Sequence, residues 1–192
     1  MKFSDVFTSK NTIQLDKKTL TILRWFAIIG QYISISIVYF IFNFELPFFY
    51  CSAIILLGVI TNFYLQFAEK ENQLSNIKAS SYLLYDLIQL SFLLFFTGGV
   101  TNPFVILLII PAIVSSTFLS LRSTVNLSII TIIILIVLTI NYFPLPHFEE
   151  LHFHVPSYYL YAIPIAIIIG LIFLTYFGAR FGIESRKRTE AL

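Results

Sequence analysis

Six long apolar stretches constrain this chain more than any other feature of its sequence. Crossing the hydrocarbon core of a bilayer takes about 20 mostly apolar residues in helical conformation. Since 58% of the residues are apolar and 11% are charged, a soluble core could not bury so much apolar side chain. We therefore predict an all-α, polytopic membrane protein with a six-transmembrane-helix bundle. The predicted spans, of which the third and fourth are the shortest, run approximately over 20–42, 47–67, 80–96, 103–120, 124–143 and 158–178.

The basic residues predict how this bundle is oriented. Lysines and arginines in short connections stay on the cytoplasmic side of a bacterial inner membrane. Here every one of them precedes or opens the first span, follows the sixth, or falls in the connections after the second and fourth. The opposite connections carry only the charges of Glu45, Glu149 and Glu150. We therefore expect both termini to be cytoplasmic.

The predicted topology divides the chain into three parts. Residues 1–19 form a cytoplasmic N-terminal segment, 20–178 the six-helix transmembrane domain, and 179–192 the start of a cytoplasmic helix. The first apolar stretch is long and begins only near residue 20, so we expect no cleaved signal peptide. Pro111 and Pro164 each remove a helical hydrogen bond, and we expect a kink at both.

Polar side chains inside the spans are the first candidates for chemistry, because they are costly in a bilayer unless they have partners. Asp86, the only acidic residue in a predicted span, shares a helix face with Gln89, about 9 Å from the cytoplasmic end of the third span. Arg24 lies at a similar depth in the first span, on one face with Gln31. We hypothesise that Arg24 pairs with Asp86. In the alternative, Arg24 extends to the lipid head groups while Asp86 is protonated or hydrated.

The sequence TGGVTNPF, residues 97–104, separates the third and fourth spans. Gly98 and Gly99 can adopt backbone angles that end a helix abruptly. Asn102 is a good helix cap, and Pro103 suits the first helical position. A tight helical hairpin accounts for all of these residues without a further function.

The surroundings of this gap also suit a ligand. Phe95, Phe96 and Phe104 flank it, and the loop amides and the Asn102 carboxamide offer hydrogen-bond donors. A flat aromatic molecule with carbonyl oxygens would find stacking faces and donors together. A membrane quinone is such a molecule.

The run GGVTNPF matches the heptapeptide GGxxNPF, and with it the chain resembles the RegB/PrrB/ActS group of redox-responsive sensor histidine kinases. LRWFAIIGQ, residues 23–31, and YDLIQLSFLLFFTGG, residues 85–99, resemble the first and third helices of that family. The resemblance implies a sensor that reads the ubiquinone pool through the heptapeptide and controls a cytoplasmic kinase. The implied quinone-binding residues are Gly98, Gly99, Asn102, Pro103 and Phe104.

The resemblance also implies what these 192 residues lack. The phosphoacceptor histidine and the nucleotide-binding domain of the family would lie beyond Leu192, so we assign no catalytic residue and expect no kinase activity of this chain alone. The cytoplasmic redox cysteine of the family is absent, and we interpret Cys51 as a packing residue. We expect the lipid bilayer, a quinone and a second copy of the chain as partners. A response regulator would be a partner only through a kinase core, and nucleic acid is not expected.

Three further readings compete with this one. His147, His152 and His154 have donor atoms that suit a metal ion, but their spacing matches no tight site, and we predict no metal. A small transporter or channel subunit is the main alternative function, although the sequence has no related halves. A hydrolase would need a histidine within a span beside Ser115 or Ser116, and none is present.

Overall fold

A computed structural model describes the backbone of residues 15–143 and 157–190, with the side chains of 15–143 and 158–178. Within these ranges the chain is helical, and its only β-type pairing is an isolated bridge between Asp16 and Gln73. The helices are α1 Lys17–Ser36, α2 Phe48–Ala68, α3 Asn76–Phe96, α4 Ile110–Phe118, α5 Leu121–Ile140 and α6 Ser157–Glu190. A π-helical turn, Ile37–Ile41, extends α1, and two 3-10 turns, Gly99–Thr101 and Pro103–Ile109, connect α3 to α4.

Several predictions concern residues outside these ranges. The segment 1–14, the three histidines at 147–154 and the basic side chains after residue 178 lie outside the described residues. They stay predictions.

Five helical segments are long and apolar enough to cross a membrane, judged by length and composition. They are Lys17–Ile41, Phe48–Ala68, Asn76–Phe96, Leu121–Ile140 and Tyr158–Gly178. The fourth predicted span forms a shorter apolar segment, Pro103–Phe118.

The third helix begins earlier than predicted because of a side-chain cap. The Ser75 hydroxyl accepts a hydrogen bond from the Lys78 N–H at 3.4 Å, which stabilises a helix start at Asn76 rather than near residue 80. Asp86 is therefore the eleventh of 21 helical residues, about 15 Å from the start of α3. The predicted depth of about 9 Å was wrong, and Asp86 lies near the middle of its helix.

Pro111 lies where the fourth helical segment changes from 3-10 to α geometry. In an α-helix the Leu107 carbonyl oxygen would accept a hydrogen bond from residue 111, but proline has no N–H. The Ile110 N–H bonds to Leu107 instead, over the shorter 3-10 spacing. The expected kink is thus a change from 3-10 to α geometry, and runs of 3-10 helix as long as Pro103–Ile109 are uncommon.

Two clusters of buried apolar side chains hold the bundle together. The larger cluster joins α3, α4, α5 and α6 and also includes Leu20 of α1 and Leu65 of α2. The smaller cluster joins α1 and α2 to the C-terminal part of α3 through Ile28, Ile35, Cys51, Ile55 and Leu93. Cys51 is fully buried there, as expected of a packing residue.

Candidate functional site

The predicted TGGVTNPF gap forms a tight bend at the end of α3. The Thr97 N–H donates a 3.0 Å hydrogen bond to the Leu94 carbonyl oxygen. The next two residues have left-handed backbone angles, with φ of 102° at Gly98 and 59° at Gly99. Residues with a β-carbon rarely adopt such angles, so the double glycine explains why α3 ends here. The predicted hairpin is confirmed.

In the glycine half of the bend, Gly98 and Gly99, the second glycine lies beside the end of α5. A β-carbon built on Gly99 would lie 2.6 Å from the β-carbon of Tyr142 and 2.9 Å from the Leu138 carbonyl oxygen. Nearby, the Phe143 N–H donates a 2.9 Å hydrogen bond to a carbonyl oxygen of α3. The bend and α5 therefore meet too closely for any side chain at position 99.

Asn102, Pro103 and Phe104, the asparagine half of the bend, are fixed by the Asn102 side chain. Its Nδ2 donates hydrogen bonds to the Thr97 Oγ1 at 2.7 Å and to the Thr97 carbonyl oxygen at 3.1 Å. Its Oδ1 accepts one from the Phe104 N–H at 2.9 Å and caps the next turn, in which Pro103 is the first residue. The predicted cap is confirmed, and both N–H groups of the carboxamide are used within the bend.

A cavity of about 730 Å³, here called the cleft, lies between α1, α3 and the turn Pro103–Ile109. Asn102, Pro103 and Phe104 line the end of the cleft next to the bend, here called its outer end. Neither glycine of the bend lines the cleft. Its lining includes exposed side chains such as Phe26 and Phe104, so the cleft opens on the outer surface of the bundle. The structure thus brings three of the five predicted site residues to one space, and Gly98 and Gly99 do not line it.

The aromatic rings around the bend differ in what they contact. Phe96 stacks on the Tyr50 ring of α2, with 5.6 Å between ring centres, and meets Phe95 edge-on at 5.3 Å. Of the three phenylalanines predicted to flank the bend, only Phe104 lines the cleft, and it is 43% exposed. Phe104 therefore provides the ring of the bend that a ligand in the cleft can contact.

An ion pair between Arg24 and Asp86 lies at the end of the cleft away from the bend, here called its inner end. The Arg24 Nε donates to the Asp86 Oδ1 at 2.9 Å, and the Arg24 Nη2 donates to the Thr61 Oγ1 of α2 at 2.8 Å. The guanidinium carbon also lies 5.4 Å and 5.6 Å from the ring centres of Tyr82 and Tyr85. Because Arg24 is only 3% exposed, it does not extend toward lipid head groups. The hypothesised pair between α1 and α3 is confirmed.

Two glutamines continue the polar lining outward from this pair. The Gln89 Nε2 donates to the Gln31 Oε1 at 3.3 Å and joins α3 to α1 a second time. The Gln89 amide also lies against Gly58 of α2, where an added β-carbon would be 2.5 Å from Nε2. Sequence reasoning missed Gly58. The one available signal was that Gly58 and Thr61 are three residues apart and therefore share a helix face.

Two further observations concern a metal site and a serine nucleophile. No group of three metal-ligating side chains occurs in the ranges that the structure describes. The Ser115 hydroxyl is fully buried and pairs with the Thr124 hydroxyl at 3.0 Å. Ser115 therefore joins α4 to α5 by a hydrogen bond between hydroxyl groups.

Comparison with known proteins relates the chain to a sensor histidine kinase. No protein-family model and no solved structure matches the chain. The chain is similar to the sensor histidine kinase RegB of Cereibacter sphaeroides, with 36% identity over 176 residues that cover 91% of this chain. It belongs with the membrane domains of RegB-type sensor kinases. The similarity and the five apolar helices support a multi-pass inner-membrane protein that is the sensor module of a two-component kinase. The match covers 38% of the length of that kinase.

Proposed function

We propose that the chain senses the redox state of a membrane quinone pool through a quinone bound in the cleft. The observation that carries this proposal is that Asn102, Pro103 and Phe104 border a cavity of about 730 Å³ that opens on the surface of the bundle. Cavities of several hundred Å³ with apolar walls and a few polar groups are typical of small-molecule sites. Ubiquinone is the quinone that the family resemblance implies. When bound, it would supply the redox-dependent difference in shape and hydrogen bonding, and the residues of the cleft would bind and orient it.

The output would be a cytoplasmic kinase core. In this proposal six spans cross the bacterial inner membrane, Pro103–Phe118 is the fourth of them, and both termini are cytoplasmic. The long helix α6 would continue into the kinase core, and the protein would act as a homodimer. The kinase core would pass phosphate to a response regulator. Reduced and oxidised quinone can change the kinase activity only if they differ in their relative affinities for the active and inactive conformations of the protein.

Close packing between α4 and α6 supports a route for the signal. The cleft borders the turn Pro103–Ile109, which leads directly into α4. At the far end of α4, a β-carbon built on Gly178 of α6 would lie 2.7 Å from the Ser116 β-carbon. The Ser128 hydroxyl of α5 pairs with the Thr175 hydroxyl of α6 at 2.9 Å. A shift of α4 would therefore press directly on the cytoplasmic half of α6.

Photo-crosslinking with an azido-quinone tests the binding site. We expect saturable labelling of the purified protein and a clear loss of labelling in Phe104→Ala, because that change removes the aromatic wall at the outer end. Phe92→Ala is a matched control, since Phe92 is also exposed, at 55%, but does not line the cleft. Equal labelling of the wild type and both variants would overturn the proposed site.

A transporter remains a second candidate because of one observation. Asp86 lies near the middle of α3, the depth at which transporters carry ionisable groups. Reconstitution into liposomes separates the two functions. Solute flux that rises with the amount of protein and is lost in Asp86→Asn would favour transport, and the sensor proposal expects no such flux.

A further inference from the structure

The side-chain donors at the outer end of the cleft are already used. The hydroxyl groups of Thr97 and Thr101 donate to backbone carbonyl oxygens at 2.8 Å and 2.6 Å. The Asn102 carboxamide donates both of its N–H hydrogen bonds to oxygen atoms of Thr97. A ligand beside Phe104 therefore meets apolar contact surface there, and none of these three side chains has an N–H or O–H left for a carbonyl oxygen.

The inner end of the cleft has the opposite character. The Arg24 Nη1 is buried and has no hydrogen-bond partner among the described residues. The amides of Gln31 and Gln89 carry four N–H groups between them, and the one hydrogen bond that they share leaves three. All three side chains line the cleft. A buried donor without an acceptor, such as the Arg24 Nη1, is costly inside a membrane, and an acceptor that entered the cleft beside it would remove that cost.

The charge balance indicates what kind of acceptor fits. Asp86 lies 2.9 Å from the Arg24 guanidinium and offsets its charge. A neutral molecule with carbonyl oxygens therefore suits the inner end better than an anion, which the Asp86 carboxylate would repel. The remaining walls of the cleft are largely apolar, as a hydrocarbon tail requires.

We propose that Arg24, Gln31 and Gln89 hold the polar head group of a lipid-soluble carbonyl compound, while its tail runs outward past Phe104. Gln89 precedes Thr97 by eight residues, or about 12 Å along α3, so the unused N–H groups and the used ones lie at separate ends of the cleft. In this proposal the head group binds at the inner end, where the unused N–H groups lie. This inference rests on the proposed function and assigns the position of the quinone within the cleft.

Infrared difference spectroscopy of bound ubiquinone-1 with ¹³C-labelled carbonyl carbons tests this assignment. Hydrogen bonds lower the stretching frequency of a carbonyl group, so we expect a lower band for quinone bound to the full chain in nanodiscs than for quinone in lipid alone. Gln31→Leu removes donors at similar side-chain volume, and it should raise the band and weaken binding roughly fivefold. The double variant Arg24→Gln/Asp86→Asn, which replaces the ion pair with two amides, should weaken binding about tenfold or more.

Thr61→Val is the matched control. It removes the partner of the Arg24 Nη2 but leaves Nη1 in place, and the carbonyl band should stay at the wild-type position. If the double variant does not fold, Gln31→Leu alone decides, because Gln31 is only partly buried. Saturable binding with the same band in the wild type and Gln31→Leu overturns the inner position and leaves the cleft as the site. Absence of saturable binding to the wild type overturns the proposed function as well.

Discussion

The glycine half and the asparagine half of the bend are neighbours in sequence, but they face different parts of the molecule. Gly99 lies against the backbone of α5, where an added β-carbon would be 2.9 Å from a carbonyl oxygen. Phe104 lies on the other side, where 43% of its surface is exposed beside the cleft. A single short motif therefore combines a packing contact with a cleft wall. Substitutions in the two halves should separate loss of folding from loss of ligand binding.

The largest expected effect on stability comes from Gly99→Val. The new side chain would require a left-handed backbone angle and would overlap Tyr142 and the Leu138 carbonyl oxygen. We expect a loss of about 3 kcal/mol or more in the free energy of unfolding, measured by denaturation in detergent micelles. Gly30→Ala is the control, because nothing lies within 4 Å of its added β-carbon. Equal unfolding of the two variants would contradict the packing role of the glycine half.

Asn102→Ala should have the next largest effect. It removes the helix cap to the Phe104 N–H and both hydrogen bonds to Thr97, and we expect a loss of about 1–2 kcal/mol. Asn102→Ser keeps a capping oxygen but not the amide, so it should lose about half as much. Denaturation under the same conditions measures both. If Asn102→Ala unfolds like the wild type, the side chain does not hold the bend.

Gly58→Ala should cost less than Gly99→Val, although its added β-carbon would also meet an atom at 2.5 Å. The atom it meets is the end of the flexible Gln89 side chain, which can move, whereas Gly99 faces backbone. We expect a loss of about 1 kcal/mol in the free energy of unfolding. Gly170→Ala, whose nearest atom lies at 3.9 Å, is the control and should be close to neutral. A loss as large as that of Gly99→Val would mean that Gln89 cannot adjust.

The smallest expected effect on stability comes from Phe104→Ala. Because the ring is partly exposed, the free energy of unfolding should change by only about 0.5 kcal/mol, while azido-quinone labelling should fall. Measuring both on one preparation sharpens the contrast with Gly99→Val. A large loss of stability in this variant would show that the ring holds the bend together and would weaken its assignment to a ligand.

Much of the fold follows from local rules that act on single segments. The apolar stretches predict the long helices, and Gly98, Gly99, Asn102 and Pro103 predict the bend by their backbone preferences. The pair between Arg24 and Asp86 was predictable because each polar group in a bilayer needs a partner at a similar depth.

What could not be predicted depends on contacts between segments. The sequence does not indicate that Gly99 faces α5 or that Gly58 makes room for Gln89, because both depend on how closely two helices approach. The cleft was suggested at its outer end by the motif, but its inner end depends on the spacing between α1 and α3. The start of α3 was missed because Ser75, a capping residue, lies in a polar connection that gave no apolar signal.

The 3-10 turn Pro103–Ile109 has a consequence for how far a short segment can reach. Residues in 3-10 geometry advance about 2.0 Å each, compared with about 1.5 Å in an α-helix. The 16 residues Pro103–Phe118 therefore extend about 28 Å instead of about 24 Å. That is close to the thickness of about 30 Å of a bilayer core. The 3-10 turn thus makes this segment about 4 Å longer than an α-helix with the same number of residues.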